Sequence, residues 1–124
     1  MRVLVCVTGQ KSCEKLIEEG CKAAKELGCA LSVLHVAKPG TSFLGNPVEG
    51  EAIEYLYTVS SEYGAEMTVL RADDIVGTIV QYARKNEAIM VVVGRSARPG
   101  VRDFAKELAL RLPEAEIQAV FAEE

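Results

Sequence analysis

The chain has 124 residues, a formal net charge of −4, and 49% hydrophobic and 26% charged residues. That length suits one domain, predicted over residues 1–124, burying roughly two thirds of its unfolded surface without metal or disulfide support. The composition excludes a disordered chain, and the negative charge excludes a broad attraction to nucleic acid.

No apolar run approaches the ~20 residues of a membrane span. Residues 1–10 read as a first strand rather than a signal peptide, because no small-residue cleavage site follows the apolar run. The predicted location is therefore cytoplasmic. Cys6, Cys13, Cys21 and Cys29 form no C-x-x-C pair, and His35 is the one imidazole. A zinc site is not expected, and in a reducing compartment all four are free thiols.

Residues 2–8 are nearly all apolar and rich in valine, which suits a central parallel strand covered on both faces. Ser12 is the predicted cap of a helix that Gly28 ends. Cys13, Leu16, Ile17, Gly20, Cys21, Ala24 and Leu27 form its inner stripe. Residues 30–36 are a second strand, and 38–50, with two prolines, a loop. Residues 51–63 read as a helix with Ile53, Leu56, Tyr57 and Ser60 inward. Residues 66–71 are a third strand. Asp73 or Asp74 then caps a helix with Ile75, Ile79, Val80 and Ala83 on its apolar side. Residues 88–94 are the strongest buried strand, 95–100 a polar turn, 101–112 a last helix closed by Pro113, and 116–122 a fifth strand.

This alternation predicts an α/β fold, a doubly wound five-stranded parallel sheet with helices on both faces. Strands one and four are the most apolar and should be central neighbours, giving the order 3-2-1-4-5. Ligands in such folds bind outside the carboxyl ends of the strands at the switch point, here residues 8–12 facing 94–100.

The turn after strand four carries Arg95 and Arg98, with Arg102 beyond and no acid among them. In an acidic chain this points to a small anionic ligand, since guanidinium forks suit phosphate and flanking glycines admit backbone amides. The alternative is a solvated basic turn. The first loop opens on a helix N-terminus that welcomes anions, yet it lacks G-x-x-x-x-G-K-[ST]. Cys13 is predicted as the first residue of that helix; its match to the inner stripe favours a buried structural cysteine over a reactive one. His35 has no serine or cysteine partner in the sequence pattern and reads as a strand-end residue. No paired carboxylates or G-x-S-x-G elbow suggest an enzyme.

Val3-Leu-Val-Cys-Val-Thr-Gly9, Ser12-Cys-Glu-Lys-Leu-Ile17, Leu31-Ser-Val-Leu-His-Val36 and Val91-Val-Val-Gly-Arg-Ser96 together resemble the universal stress protein family. The flavour is that of the stress-protein-like module in bacterial potassium-sensing histidine kinases. The resemblance spans the chain in element order and implies the fold derived above, the adenine nucleotide alpha hydrolase-like one. It also implies a homodimer through the fifth strand, residues 116–122.

Many family members bind ATP through an aspartate ending strand one and a G-x-x-G-x9-G-[ST] loop after strand four. Here Thr8 stands at the aspartate position, Ala97 at the second glycine, and Glu107-Leu108 at the final pair; Gly94 keeps the first glycine. The stretch from Gly94 to the last strand is several residues shorter than the pattern. Thr8, Gln10 and Leu31 fit only loosely the cyclic-dinucleotide sites of some sensor modules.

The expectation is a non-catalytic stress-response or signalling module whose nucleotide site is degraded or altered. Its ligand residues would be Thr8, Gly9 and Gln10 on one wall and Gly94, Arg95, Ser96 and Arg98 on the other, with Val36 or Ala37 touching a base. The alternative is a genuine binder of ATP, AMP or a cyclic dinucleotide, with no cofactor assigned because the ATP motif is incomplete. A third reading is a redox protein acting through Cys13.

Overall fold

A computed structural model describes residues 1–96, 99–100 and 102–122. Five parallel strands, β1 (Arg2–Cys6), β2 (Ala30–Ala37), β3 (Glu66–Arg71), β4 (Ala88–Arg95) and β5 (Glu116–Phe121), form one sheet in the order β3-β2-β1-β4-β5. Four α-helices connect them: α1 (Gln10–Leu27), α2 (Glu49–Glu62), α3 (Ile75–Lys85) and α4 (Phe104–Arg111), with a short 3-10 turn at Phe43–Gly45. The sheet order is the one expected from the hydrophobicity of strands one and four. Among the described residues no helix is long and apolar enough to cross a membrane.

Strand alternation splits the core into two layers. Val3, Val5 and Val7 face α1 and α2 with Leu16, Ile17 and Leu56. Leu4 and Cys6 face α3 and α4 with Val76, Val80 and Leu108. A central strand buried on both sides leaves no polar face, which is why residues 2–8 carry almost no charge. Gly20 lets α1 settle on the sheet, because an added Cβ there would overlap Val5 Cγ2 and lie 3.3 Å from Leu31 Cδ1.

The helix ends differ from the expectations in three places. Gly9, extended at φ −126°, is the N-cap of α1, so Ser12 lies inside the first turn and its hydroxyl donates to the Gly9 carbonyl at 3.3 Å. Cys13 is consequently the fourth helical residue, not the first. The second helix begins at Glu49, and its buried stripe is Ala52, Leu56, Val59 and Ser60; that rotation leaves Tyr57 62% exposed. The last helix begins at Phe104, capped by the Asp103 side chain accepting from the Lys106 amide; Val101, its expected start, lies outside the described residues. Other boundaries follow the expected signals. Gly28 closes α1 at φ +67°, and Asp74 caps α3 by accepting from the Gly77 amide.

Candidate functional site

The carboxyl ends of β1, β2 and β4 open into a cleft. Its inner part, about 20 Å³, is walled by Thr8, Val36, Gly94, Ile75 and Phe104 over a floor of Cys6, Leu34, Ile79 and Val93. An outer part of about 280 Å³ shares Thr8, Val36, Ile75 and Phe104 and adds His35, Ala37, Lys38, Thr41 and Ser42. The walls are apolar, and the polar groups stand at the rim. Such a lining suits a small, mostly apolar group seated in the outer part and oriented by a few hydrogen bonds. At the floor, burial pushes the Cys6 thiol up to about 12, so it stays protonated and un-nucleophilic at neutral pH.

The outer wall belongs to the loop between β2 and α2, and His35 holds it in place. The ring is buried, with Nδ1 2.8 Å from the Val7 carbonyl, while the Leu44 amide donates to Nε2 at 3.0 Å. An N–H facing Nε2 and a carbonyl facing Nδ1 together require the neutral tautomer with its proton on Nδ1. Burial lowers the pKa of this histidine; the Val7 bond opposes that effect and the Arg71 charge adds to it. His35 thus has two backbone partners that the sequence did not reveal.

Arg71 holds the same loop from β3. It donates to the Lys38 and Thr41 carbonyls at 2.9 and 2.8 Å and lies 4.0 Å above the Phe43 ring. Leu44 sits at φ +55°, a left-handed conformation that costs a side-chain-bearing residue roughly 1–2 kcal/mol.

The predicted site residues are divided by this geometry. Thr8, Val36, Ala37 and Gly94 meet at the cleft. Gly9 caps α1. Gln10 turns to the loop, where its Oε1 accepts from Asn46 Nδ2 at 3.1 Å. Arg95 lies with Asp103, Lys106 and Gln118 in a groove between α4 and β5. Ser96 directly follows β4 and is half-buried, and Arg98, like Ala97, lies outside the described residues.

The basic turn also proves to have acids beside it. Arg95 Nη2 is 3.3 Å from Asp103 Oδ2. Arg102 makes a two-pronged bond to Glu107, at 2.6 and 2.7 Å, and lies 4.8 Å over the Phe104 ring. The linear sequence hid this pairing, because it reads the turn apart from the first turn of the helix that follows. Phe104, Ile75, Thr41 and Ser42 were missed for a related reason. They flank the cleft from segments that look like an ordinary helix start or loop, and a buried histidine at a strand end was the one available signal.

The universal stress protein family model matches residues 1–106. This chain belongs to the universal stress protein family. Among curated relatives, a putative sensor protein KdpD of Synechocystis is 31% identical over 97 residues, covering 78% of this chain and 26% of the relative. Sensor protein KdpD of Mycobacterium tuberculosis strain H37Rv is 31% identical over 98 residues, covering 78% and 11%. The chain thus spans a minor part of the relatives it matches. A solved universal stress protein in complex with cAMP superposes with a TM-score of 0.76 at 14% identity, covering 99% of this chain and 98% of that one. Another, from Archaeoglobus fulgidus in complex with dAMP, gives 0.65 at 17% identity, with 96% of each covered. At such identities the likeness shows the shared fold, and the universal stress protein cleft must be judged from its own residues.

Proposed function

We propose that this chain is a non-catalytic stress-response or signalling module, one domain over residues 1–124, whose nucleotide site has lost its phosphate cradle. The observation that carries this reading is the pairing of Arg95 with Asp103 and of Arg102 with Glu107. The Arg102 fork is filled by Glu107 and offers little to a phosphate unless that partner is displaced, whereas Arg95 gives only Nη2 to Asp103 and its buried Nε has no partner among the described residues. Asp74 and Asp103 are engaged as helix caps, which counts against a magnesium-holding carboxylate and phosphoryl chemistry. The sensor-protein relatives support a signalling role, alone or as part of a larger receptor.

A second reading, a genuine nucleotide binder, is favoured by the cleft. Thr8, Val36, Ala37 and Gly94 leave an apolar slot open at the switch point, and solved family members hold cAMP and dAMP. Isothermal titration with ATP, AMP and cyclic di-AMP at moderate salt separates the two. The altered-site reading expects no micromolar heat with ATP from the folded protein. Micromolar ATP affinity would overturn it and make nucleotide sensing the function.

A further inference from the structure

We propose that His35 is a proton-operated clasp on the loop at residues 38–46, and that its release at mildly acidic pH opens the outer part of the cleft. The geometry allows one protonation state. Val7 presents a carbonyl to Nδ1, and Leu44 presents an amide N–H to Nε2. A second proton on the ring would set two donors against each other at Nε2, and would place a charge on a group that is 4% exposed. Both costs are relieved if Leu44 swings away and water reaches Nε2, against the cost of exposing the buried Leu44 side chain. Leu44 is also held at positive φ, so the segment loses a constraint when the bond breaks.

The charges around the ring act in the same direction. From β3, the Arg71 guanidinium opposes protonation, and burial opposes it more strongly. The loop brings Lys38, another cation, at its root. β1 brings Cys6, which packs in the other core layer, and Arg2 at its far end, where it pairs with Glu66. α1 brings the buried Cys13 and the exposed Lys11 and Glu14; α2, packed against the turn at 43–45, brings Glu49, Glu51 and Glu54, all exposed; and the exposed Asp73 and Asp74 precede α3. Among the described residues, then, no carboxylate holds the imidazolium in place, unlike a histidine built to stay charged.

The loop's other attachments confine the opening. Arg71 keeps the Lys38 and Thr41 carbonyls, and Asn46 keeps Gln10. The released span is residues 42–45, which includes Ser42 on the cleft wall, and its release takes the buried Phe43 ring out from under Arg71. The consequence is a cleft whose mouth widens as pH falls, whatever its ligand.

The test is amide exchange and ring titration by NMR on the intact chain, from about pH 8 to 5. Below an open-state pKa of about 6.5, the Leu44 opening constant should rise about tenfold per pH unit until the folded ring itself titrates. Leu44 should also open at least about a hundredfold more often than Val5 in the central strand, because its opening is local. The non-titrating variant His35→Gln should remove the pH dependence of Leu44. If that variant fails to fold, the wild-type comparison still decides. A Leu44 opening constant equal to that of Val5, or a His35 ring that stays neutral until the whole fold is lost, would overturn the clasp.

Discussion

Arg102 and Glu107 face each other across the start of α4, with Nε 2.6 Å from Oε2 and Nη2 2.7 Å from Oε1. The fork–fork geometry is the one a guanidinium would otherwise offer to phosphate. In the proposed altered-site reading, Glu107 takes the position of the phosphate loop's last glycine and supplies a negative charge of its own.

The first prediction tests that substitution. The Glu107→Gln variant frees the Arg102 fork while keeping the shape of the side chain. In low salt its affinity for ATP relative to adenosine should rise, by no more than about fivefold, because an exposed pair is worth only ~0.2–1 kcal/mol. The gain should disappear at ~1 M salt, where the screening length is about 3 Å. Calorimetry with both ligands reads it. An ATP preference of about a hundredfold or more already present in the wild type would mean that the guanidiniums serve phosphate despite their carboxylates.

Gly20 carries a second prediction, on stability. Alanine improves helix propensity by about 1 kcal/mol over glycine, yet its Cβ would run into Val5 Cγ2. Val5 is β-branched and fully buried, so it has no rotamer to retreat to. Overpacking of ~1–3 kcal/mol should exceed the propensity gain. Gly20→Ala should therefore lower the midpoint of urea unfolding, and Gly20→Ala with Val5→Ala should lose less than the sum of the two single changes. Additive losses would show that α1 moves off the sheet without meeting Val5.

The cysteines give a third prediction. Cys6 and Cys13 are buried, whereas Cys21 and Cys29 are partly exposed, so a thiol reagent should modify the latter pair first and the former only as the fold opens. Fast labelling of Cys13 in the folded protein would revive the redox reading. Cys6 also sets an alkaline limit. Its folded pKa lies near 12 against an ordinary 9.0, so between those values the unfolded chain loses a proton that the folded chain keeps. Stability then falls as pH rises, by about 1.4 kcal/mol per pH unit. Chemical denaturation at several pH values should show this slope diminished by that amount in Cys6→Ala, even though the variant is less stable at neutral pH.

The fold was legible because its signals are local and repeated. Valine runs in β1 and β4, glycine after α1 and an aspartate before α3 each act within a few residues. The expected sheet order needed only the two most apolar strands. The site was less legible because its decisive contacts join segments that are distant or read separately. Leu44 reaches back to His35, Arg71 crosses to the Lys38 carbonyl, and Asp103 closes on Arg95 over a turn. Gln10 bonds Asn46 across to the 38–46 loop, and Arg95 gives Nη2 to Asp103, contacts between segments that lie apart or are read separately in the sequence. Such choices depend on tertiary partners, and residue type alone does not encode them.

The final prediction concerns the outer edge of β5. Among the described residues β5 pairs with β4 alone, so its other edge offers backbone groups of the kind that recruit a neighbouring strand. Phe121 at its end is 61% exposed, and Lys15 donates to its carbonyl at 2.7 Å. The proposed homodimer through residues 116–122 would cover both features. Light scattering should therefore give about twice the 13.4 kDa chain mass, and Phe121→Lys, at an exposed position, should weaken the dimer by placing like charges across the seam. A wild-type monomer at high concentration would sink the β5 interface. A lysine variant that stays dimeric would move the contact to another surface.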